Sequence, residues 1–344
     1  MFIVIHRTAL GLLIIILIAF ILLTAGSPNM ALAAQSTVTN TALAITATLV
    51  GTTDPFAGLS IPELAARTYG GGQVIADNAL NHYASFTRYV MHYSSDGLTI
   101  YGFMDVPTTP PQTTAGYPVI IAIHGYIDPR IYQTIDYTTS YADSLASAGY
   151  IVLHPNLRNY FPSSSGPNLL RVGYAIDALN LAAIVRAQGG QPGILQQASA
   201  TMIGLWGHSM GGGVSIRTMT VDPLIKAVVL YSPISGDDTL NAKQYGKRPG
   251  QYDMMVPADV YKRTSPIYFY DRIQAPVSIH QGLADTTVPP AWTADLCSRL
   301  QTLQKSVECF TYPKQNHILG GVSDQLFRQR MIAFFDAHLK TPAH

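Results

Sequence analysis

The chain is short of charged residues. Only 12% of its 344 residues are Asp, Glu, Lys or Arg, whereas a soluble domain usually carries about a quarter. The formal net charge is +1, and the Lys and Arg residues form no cluster. Nucleic acids and anionic membrane surfaces are bound by concentrated basic faces, so the sequence favours neither as a partner. With 48% hydrophobic residues, the chain can instead bury a sizeable core.

Cysteine is almost absent, since the chain contains only Cys297 and Cys309. Two thiols do not make a strong thiolate metal site, and no histidine or carboxylate cluster has metal-ligand spacing. The sequence therefore predicts neither a metal nor a cofactor. Neither cysteine has the context of a nucleophile. In an oxidising compartment the pair could form a disulfide that closes a short loop between a helix and the next strand, and two buried thiols are the alternative.

The N-terminus predicts export from the cytoplasm. A weakly positive start precedes an apolar run from Ala9 to Thr24, and Ala31-Leu32-Ala33 has the small-x-small pattern of a signal peptidase site. Residues 1–33 are interpreted as a signal peptide. An uncleaved membrane anchor over residues 9–26 is the alternative, and a membrane is a partner only in that case. Either way, we expect the rest of the chain to work outside the cytoplasm.

The remainder predicts a linker followed by one α/β domain. Residues 34–85 are interpreted as a leader or linker that includes a short helical segment, and residues 86–344 as the catalytic domain. That domain opens with a predicted antiparallel hairpin around the turn Ser94-Ser95-Asp96-Gly97. Alternating strands and helices then predict a mostly parallel sheet with helices on both faces. The predicted strands are Phe86–Tyr93, Leu98–Val106, Val119–Ile123, Tyr150–Leu153, Met202–Trp206, Ala227–Tyr231, Val277–His280 and Val307–Tyr312; the predicted helices are Tyr137–Ala148, an amphipathic Leu170–Ala187, Met210–Met219, Ala291–Leu303 and Val322–Leu339.

An insertion at about residues 235–270 interrupts this alternation. It is rich in tyrosine and has little periodicity. Long insertions in compact domains are usually lids or flexible surface excursions, and we favour a partly helical lid near the active site. The insertion and the loop Ile127–Thr139 are expected to line the substrate pocket.

Ser209 is the predicted nucleophile. It is the centre of Gly207-His208-Ser209-Met210-Gly211, which matches G-x-S-x-G between a predicted strand and a predicted helix. A serine on such a sharp, strained turn exposes its hydroxyl, and larger residues at the glycine positions would clash with the adjoining strand and helix. The helix that begins at Met210 also points its positive end towards the reacting oxygen.

His317 and Asp285 are the predicted partners of that serine. A serine hydroxyl needs an adjacent base, and the chain order expected after the nucleophile is acid and then histidine. His317 follows the last strand, and Asp285 follows Val277–His280, so both lie where loops at the carboxyl ends of parallel strands gather. Asp237 and Asp238 are competing acids, because they follow the preceding strand.

Two backbone amides are predicted to form an oxyanion hole. One is the amide of Met210, and the other is that of Tyr126 in the loop His124-Gly125-Tyr126 after strand Val119–Ile123. The Tyr126 side chain is expected to border the acyl pocket. His124 is interpreted as structural, and the His208 side chain is expected to face the fold rather than the substrate. His154 and His280 end strands and are interpreted as structural too.

The C-terminal half resembles a known family. The segments that carry the resemblance are Ser265-Pro266, Ile273 to Pro276, His280 to Pro289, Tyr312-Pro313 and His317, together with the hairpin through Asp96-Gly97 and Tyr101-Gly102. They look like the catalytic domain of the prolyl oligopeptidase family, from about Phe86 to the C-terminus. The resemblance implies an α/β-hydrolase fold and the triad Ser209, Asp285 and His317.

Two departures from that family favour an ester over a peptide substrate. The family's peptidases carry a β-propeller before the catalytic domain, for which this chain has no room. Their elbow often has the form G-x-S-Y-G-G, whereas Gly-His-Ser-Met-Gly-Gly is similar to bacterial lipases and cutinases, including polyester hydrolases. Stand-alone dienelactone hydrolase-like proteins suggest the same. The expected function is a secreted serine hydrolase acting on a small ester, a polyester or a short peptide; a prolyl oligopeptidase-like peptidase and a non-catalytic binding protein on the same scaffold are the alternatives.

Overall fold

Nine strands form one sheet in the part of the chain that the computed structural model describes, residues 54–111, 114–246 and 256–340. The strands are β1 (Ile75–His82), β2 (Phe86–Ser95), β3 (Leu98–Pro107), β4 (Tyr117–Ile123), β5 (Ile151–Pro155), β6 (Ala198–His208), β7 (Ala227–Tyr231), β8 (Val277–Gly282) and β9 (Val307–Tyr312). Their order is β1-β2-β3-β5-β4-β6-β7-β8-β9. The pairs from β1 to β5 are antiparallel and those from β5 to β9 are parallel, so the predicted mostly parallel α/β fold is confirmed.

Helices cover both faces of this sheet. They are α1 (Ile61–Ala66), α2 (Thr139–Ser147), α3 (Val172–Gln188), α4 (Met210–Val221), α5 (Asp238–Tyr245), α6 (Ala258–Thr264), α7 (Pro290–Thr302) and α8 (Val322–Phe335). Helices α3, α4 and α7 pack on one face, and α2 and α8 pack on the other. Across the described residues, no helix is both long enough and apolar enough to cross a membrane. The predicted signal peptide, residues 1–33, lies outside the described residues.

The segment before residue 86 is more than a linker. Helix α1 begins with a capping box, in which the Ser60 hydroxyl accepts from the Glu63 amide and the Glu63 carboxylate accepts from the Ser60 amide. Strand β1 pairs with β2 at the edge of the sheet. The predicted boundary at residue 86 is therefore too late. The sequence pattern does not identify β1 as a strand, because nearly all its side chains are exposed. The strand is held by backbone hydrogen bonds rather than by an apolar face.

Helix α3 is buried on nearly all sides, whereas the sequence predicts an amphipathic helix with a solvent face. Its outer side is covered by α1, whose two fully buried apolar residues share a cluster with Ile176 and Leu179. The polar residues that suggest a solvent-exposed face form hydrogen bonds inside the protein. Asp177 accepts hydrogen bonds from the Arg158 guanidinium and the Ser95 hydroxyl, and the Asn180 amide donates to Ser95. Paired in this way, a buried carboxylate is tolerated.

Cys297 of α7 and Cys309 of β9 form a disulfide, with their sulfur atoms 1.98 Å apart. The bond joins a helix to the strand that follows it, at the edge of the sheet opposite β1. It closes a loop of 12 residues in sequence separation. The loop that carries His317 therefore follows a strand that the disulfide attaches covalently to α7.

Acid is expected to destabilise the fold through its buried neutral histidines. His280 is fully buried between the Ser278 hydroxyl and the Tyr312 hydroxyl, and burial, with the nearby Arg330 charge, lowers its pKa to about 3. The unfolded chain has a histidine pKa of about 6.5, so between these values it binds a proton that the folded protein excludes. The free energy of unfolding should therefore fall as the pH drops from 6.5 towards 3, by roughly 1.4 kcal/mol per pH unit for each such histidine.

Urea denaturation of the His280→Gln variant at several pH values tests this. Its free energy of unfolding should decline with acidity less steeply than that of the unsubstituted protein, whatever its value at neutral pH. Equal slopes in the two proteins would contradict the assignment of His280 as a neutral, proton-excluding group.

Candidate active site

Ser209 lies at the sharp turn between β6 and α4. Its backbone has φ 55° and ψ −116°, which is a strained conformation for a residue with a side chain. The turn is fixed by the Ser209 amide, which donates to the Tyr231 carbonyl of β7. Gly211 is required here, because a β-carbon would lie 2.0 Å from the Ile123 carbonyl oxygen. The G-x-S-x-G pattern thus reflects the tight contact between α4 and strand β4.

His317 and Asp285 meet at the carboxyl ends of β8 and β9. The imidazole Nδ1 of His317 is 2.8 Å from the Asp285 carboxylate, whose side chain is fully buried. With its proton on Nδ1, the neutral imidazole presents Nε2 as an acceptor, which is the tautomer that a general base needs. The structure therefore brings together two of the three residues of the predicted triad through a direct hydrogen bond.

The Asp285 carboxylate is held in its charged form. Burial alone would raise its pKa, but hydrogen bonds from His317 and the Val288 amide, with a further one from the Gln281 amide, outweigh burial and leave the pKa below its usual value. The Thr287 amide also donates to it. A charged carboxylate at this point would stabilise an imidazolium if His317 accepted a proton.

Ser209 and His317 line one cavity of about 160 Å³. Among the described residues, the serine makes no hydrogen bond to His317 in this structure, and such bonds are often long without substrate and shorten in the reactive complex. Tyr245, at the end of α5, lines the cavity, so the predicted insertion does reach the site. The other residues around the cavity are Tyr126, Tyr137, Arg171, His208, Met210, Ile234, Thr287 and Ile318.

The loop after β4 lies directly against the nucleophile. A β-carbon on Gly125 would be 3.2 Å from the Ser209 Cβ and 2.2 Å from the Tyr137 hydroxyl, so no side chain fits there. Tyr126 follows Gly125 and lines the cavity, and Met210 is the first residue of α4. Both predicted oxyanion donors thus belong to segments next to Ser209, and their role stays a prediction.

The competing acids have other partners. The Asp237 carboxylate accepts from the Thr239 amide and caps α5. Asp238 is buried and forms an ion pair with Arg217, with an N–O distance of 2.7 Å. Neither lines the cavity. The predicted insertion, about residues 235–270, contains α5, α6 and most of a 3₁₀ turn at Pro266–Arg272, with its middle part outside the described residues.

The strand-end histidines are buried. Both ring nitrogens of His124 face backbone carbonyls, those of Gly125 and Asn156. His154 is hydrogen-bonded to the Thr138 hydroxyl. Both are at most 1% exposed, and burial lowers the pKa of each.

Arg171 and Tyr137 are among the cavity residues that the sequence patterns miss. Arg171 falls inside a predicted helix, but it has φ 59° and sits before α3, where its largely buried side chain lines the cavity. Tyr137 lies in the loop predicted to line the pocket, but no motif marks its hydroxyl. His208 is 1% exposed and packs in the fold, as expected, yet it also borders the cavity. Only the fold brings these distant segments together.

The chain is similar in sequence to one known family and in structure to several hydrolases. Residues 195–342 match the prolyl oligopeptidase family. Acetyl xylan esterase 1 from Thermoanaerobacterium sp. superposes with a TM-score of 0.57 at 18% identity, over 80% of this chain and 93% of the esterase. An acylaminoacyl peptidase from Pyrococcus horikoshii superposes with a TM-score of 0.59 at 22% identity, over 77% of this chain and 45% of the peptidase.

A putative dienelactone hydrolase from Klebsiella pneumoniae is also similar, with a TM-score of 0.52 at 16% identity over 77% of this chain and 99% of that protein. No curated protein sequence matches this chain significantly. At these identities the structural similarities establish the α/β-hydrolase fold.

Proposed function

We propose that this chain, a serine hydrolase of the α/β-hydrolase superfamily, cleaves short-chain carboxylic esters through an acyl-enzyme. In this mechanism Ser209 attacks the ester carbonyl, His317 accepts the serine proton and passes it to the leaving alkoxide, and Asp285 orients His317. The amides of Met210 and Tyr126 hold the oxyanion. The observation that carries the proposal is the 2.8 Å hydrogen bond between His317 and Asp285 beside a cavity that Ser209 lines.

The size and lining of the cavity favour a small acyl group. A volume of about 160 Å³ is below the roughly 300–1,000 Å³ of sites for drug-sized ligands. Aliphatic and aromatic side chains, among them Tyr126, Ile234 and Ile318, form much of its wall. An acetyl or butyryl group fits within such a space, whereas most of a long acyl chain would extend beyond it into solvent.

The family match to residues 195–342 supports a peptidase as the second candidate. The same Ser209, His317 and Asp285 would then act on an amide. An ester is the less demanding substrate, because an alkoxide leaves more readily than an amine. The elbow sequence Gly-His-Ser-Met-Gly-Gly is also of the type found in esterases.

The proposal places the enzyme outside the cytoplasm. The apolar run Ala9–Thr24 and the Ala31-Leu32-Ala33 pattern support a cleaved signal, and the Cys297–Cys309 disulfide is typical of an oxidising compartment. Mass spectrometry of the exported protein tests this: we expect a mature chain that starts after residue 33. A membrane-bound chain that keeps Met1 would indicate an anchor.

Steady-state kinetics on two substrate series separate the candidates. p-Nitrophenyl acetate and butyrate should be hydrolysed with kcat/KM values at least tenfold above that of the decanoate. Aminoacyl p-nitroanilides should be poorer substrates still. A preference for the anilides would favour the peptidase. No activity on either series, with no labelling of Ser209 by a fluorophosphonate, would exclude both.

A further inference from the structure

We propose that Tyr137 and His208 are positioning residues. They hold the loop after β4 (the oxyanion loop, which carries Tyr126), the nucleophile Ser209 and the base His317 in fixed relative positions. The inference rests on the proposed hydrolase function. It starts from a chain of three hydrogen bonds that runs alongside the active-site cavity. The Gly125 amide is 3.0 Å from the Tyr137 hydroxyl, that hydroxyl is 2.9 Å from His208 Nδ1, and His208 Nε2 is 3.2 Å from the His317 carbonyl oxygen.

The chemistry of the groups fixes the direction of every bond. The His317 carbonyl can only accept, so His208 carries its proton on Nε2. A neutral imidazole then has Nδ1 as an acceptor, and the Tyr137 hydroxyl must donate to it. The Gly125 amide in turn donates to the tyrosine oxygen. With a neutral imidazole all donors and acceptors are matched, and the other neutral tautomer would leave the His317 carbonyl without a donor.

The Tyr137 hydroxyl donates to His208 only while the His208 ring is neutral. Burial, together with the neighbouring His317, lowers the pKa of His208 to about 3. The two imidazole rings have centroids 4.6 Å apart. A charged His208 would therefore oppose the imidazolium that His317 forms during turnover. The neutral tautomer keeps that proton transfer possible while still holding the His317 backbone.

The hydrogen-bond chain connects three segments that are far apart in sequence. Gly125 belongs to the loop after β4 that carries the predicted oxyanion donor, His208 directly precedes the nucleophile, and His317 is the base itself. The Tyr137–His208 and His208–His317 bonds span 71 and 109 residues. Catalysis depends on placing these groups within a fraction of an ångström. Loss of a link between the three segments should therefore lower the rate.

The space around Gly125 supports the same assignment. The Tyr137 hydroxyl lies where a side chain at position 125 would begin. The tyrosine thus supports the backbone of the oxyanion loop from one side while donating to His208 from the same oxygen. A phenylalanine would preserve the ring packing against His208 and remove only the hydroxyl.

Kinetics of Tyr137→Phe test the proposal on p-nitrophenyl acetate. We expect kcat to fall by on the order of 10- to 100-fold with KM changed less than threefold, because a misplaced catalytic group affects the transition state more than substrate binding. Tyr150→Phe is the matched control, since it also removes one buried hydroxyl, hydrogen-bonded to Asp336 on the sheet face away from α3 and α4. Its kcat should stay within twofold of the unsubstituted protein.

A second variant removes the hydrogen bond at the other end of the hydrogen-bond chain. The side chain of His208→Asn can still accept from Tyr137 but is too short to donate to the His317 carbonyl. It should lose a similar factor in kcat, and the double variant should lose no more than the worse single one, because both substitutions break one chain. If either variant alone keeps kcat within twofold, or if the two losses multiply, the proposal is overturned.

Nitrogen-15 NMR of labelled histidine tests the chain without turnover. His208 should be neutral with its proton on Nε2 at pH 7 and remain so at pH 5. A charged ring, or a proton on Nδ1, would refute the hydrogen-bond directions even in an active enzyme. If instead the unsubstituted protein hydrolyses no ester and resists fluorophosphonate while this tautomer is found, the hydrogen-bond chain stands, and the proposed function, with the catalytic role of Tyr137 and His208, fails.

Discussion

Replacing Ser209 with alanine is expected to lower kcat on p-nitrophenyl acetate by on the order of 10⁴- to 10⁶-fold. In the proposed mechanism the serine hydroxyl forms the acyl-enzyme, so the residual rate would come only from substrate binding and the oxyanion donors. The substitution removes one oxygen from a cavity-lining side chain, so the fold should be unaffected. Kinetics, circular dichroism and fluorophosphonate labelling of the same preparation measure these effects together.

Ser232→Ala is a matched control for this variant. Ser232 lies just after β7, next to the strand that leads into the elbow, and it is fully buried. Its hydroxyl has no hydrogen-bond partner among the described residues, so losing it should change neither stability nor kcat appreciably. A Ser209→Ala protein that keeps more than a hundredth of the activity, or still takes up the fluorophosphonate, would mean that another residue is the nucleophile.

Much of the parallel part of the fold could be predicted because its strands are continuous apolar runs. Ala227–Tyr231 is fully buried, and both its ends agree with the prediction. The bounds of the edge strand Val307–Tyr312 also agree with the prediction, although this strand is mostly exposed, and its end is marked by the turn that follows. Buried strands of this kind are specified by local sequence, since each residue must be apolar. The elbow is local too, because its glycines and serine lie within five consecutive residues.

Edge and long-range features could not be predicted in this way. Strand β1 is almost entirely exposed, so it carries no apolar alternation, and helix α1 depends on the outer side of α3 for its burial. Arg171 reaches the cavity through a left-handed backbone conformation that its side-chain type does not indicate. The hydrogen bonds of Tyr137 and His208 connect loops from separate strands. Each of these depends on tertiary contacts rather than on local pattern.

Replacing Asp285 with asparagine is expected to lower kcat by on the order of 10⁴-fold with little change in KM. One carboxylate oxygen of Asp285 accepts from the Thr287 and Val288 amides, and the other accepts from Gln281 and His317. An asparagine whose oxygen keeps the two backbone donors must turn its NH₂ group towards His317. Nδ1 of the imidazole then has to accept, so its proton moves to Nε2, the atom that must take the proton of Ser209.

Asp237→Asn is the control that separates the two candidate acids. Asp237 caps α5 through the Thr239 amide, and an asparagine caps a helix about as well, so this variant should keep its stability and its kcat. Both variants are isosteric, and both remove one negative charge after a neighbouring strand of the same sheet. A large loss of kcat in Asp237→Asn with near-normal turnover in Asp285→Asn would mean that Asp237, in the insertion, is the acid of the triad. The opposite pattern, measured on p-nitrophenyl acetate, is expected, because only Asp285 is bonded to the base.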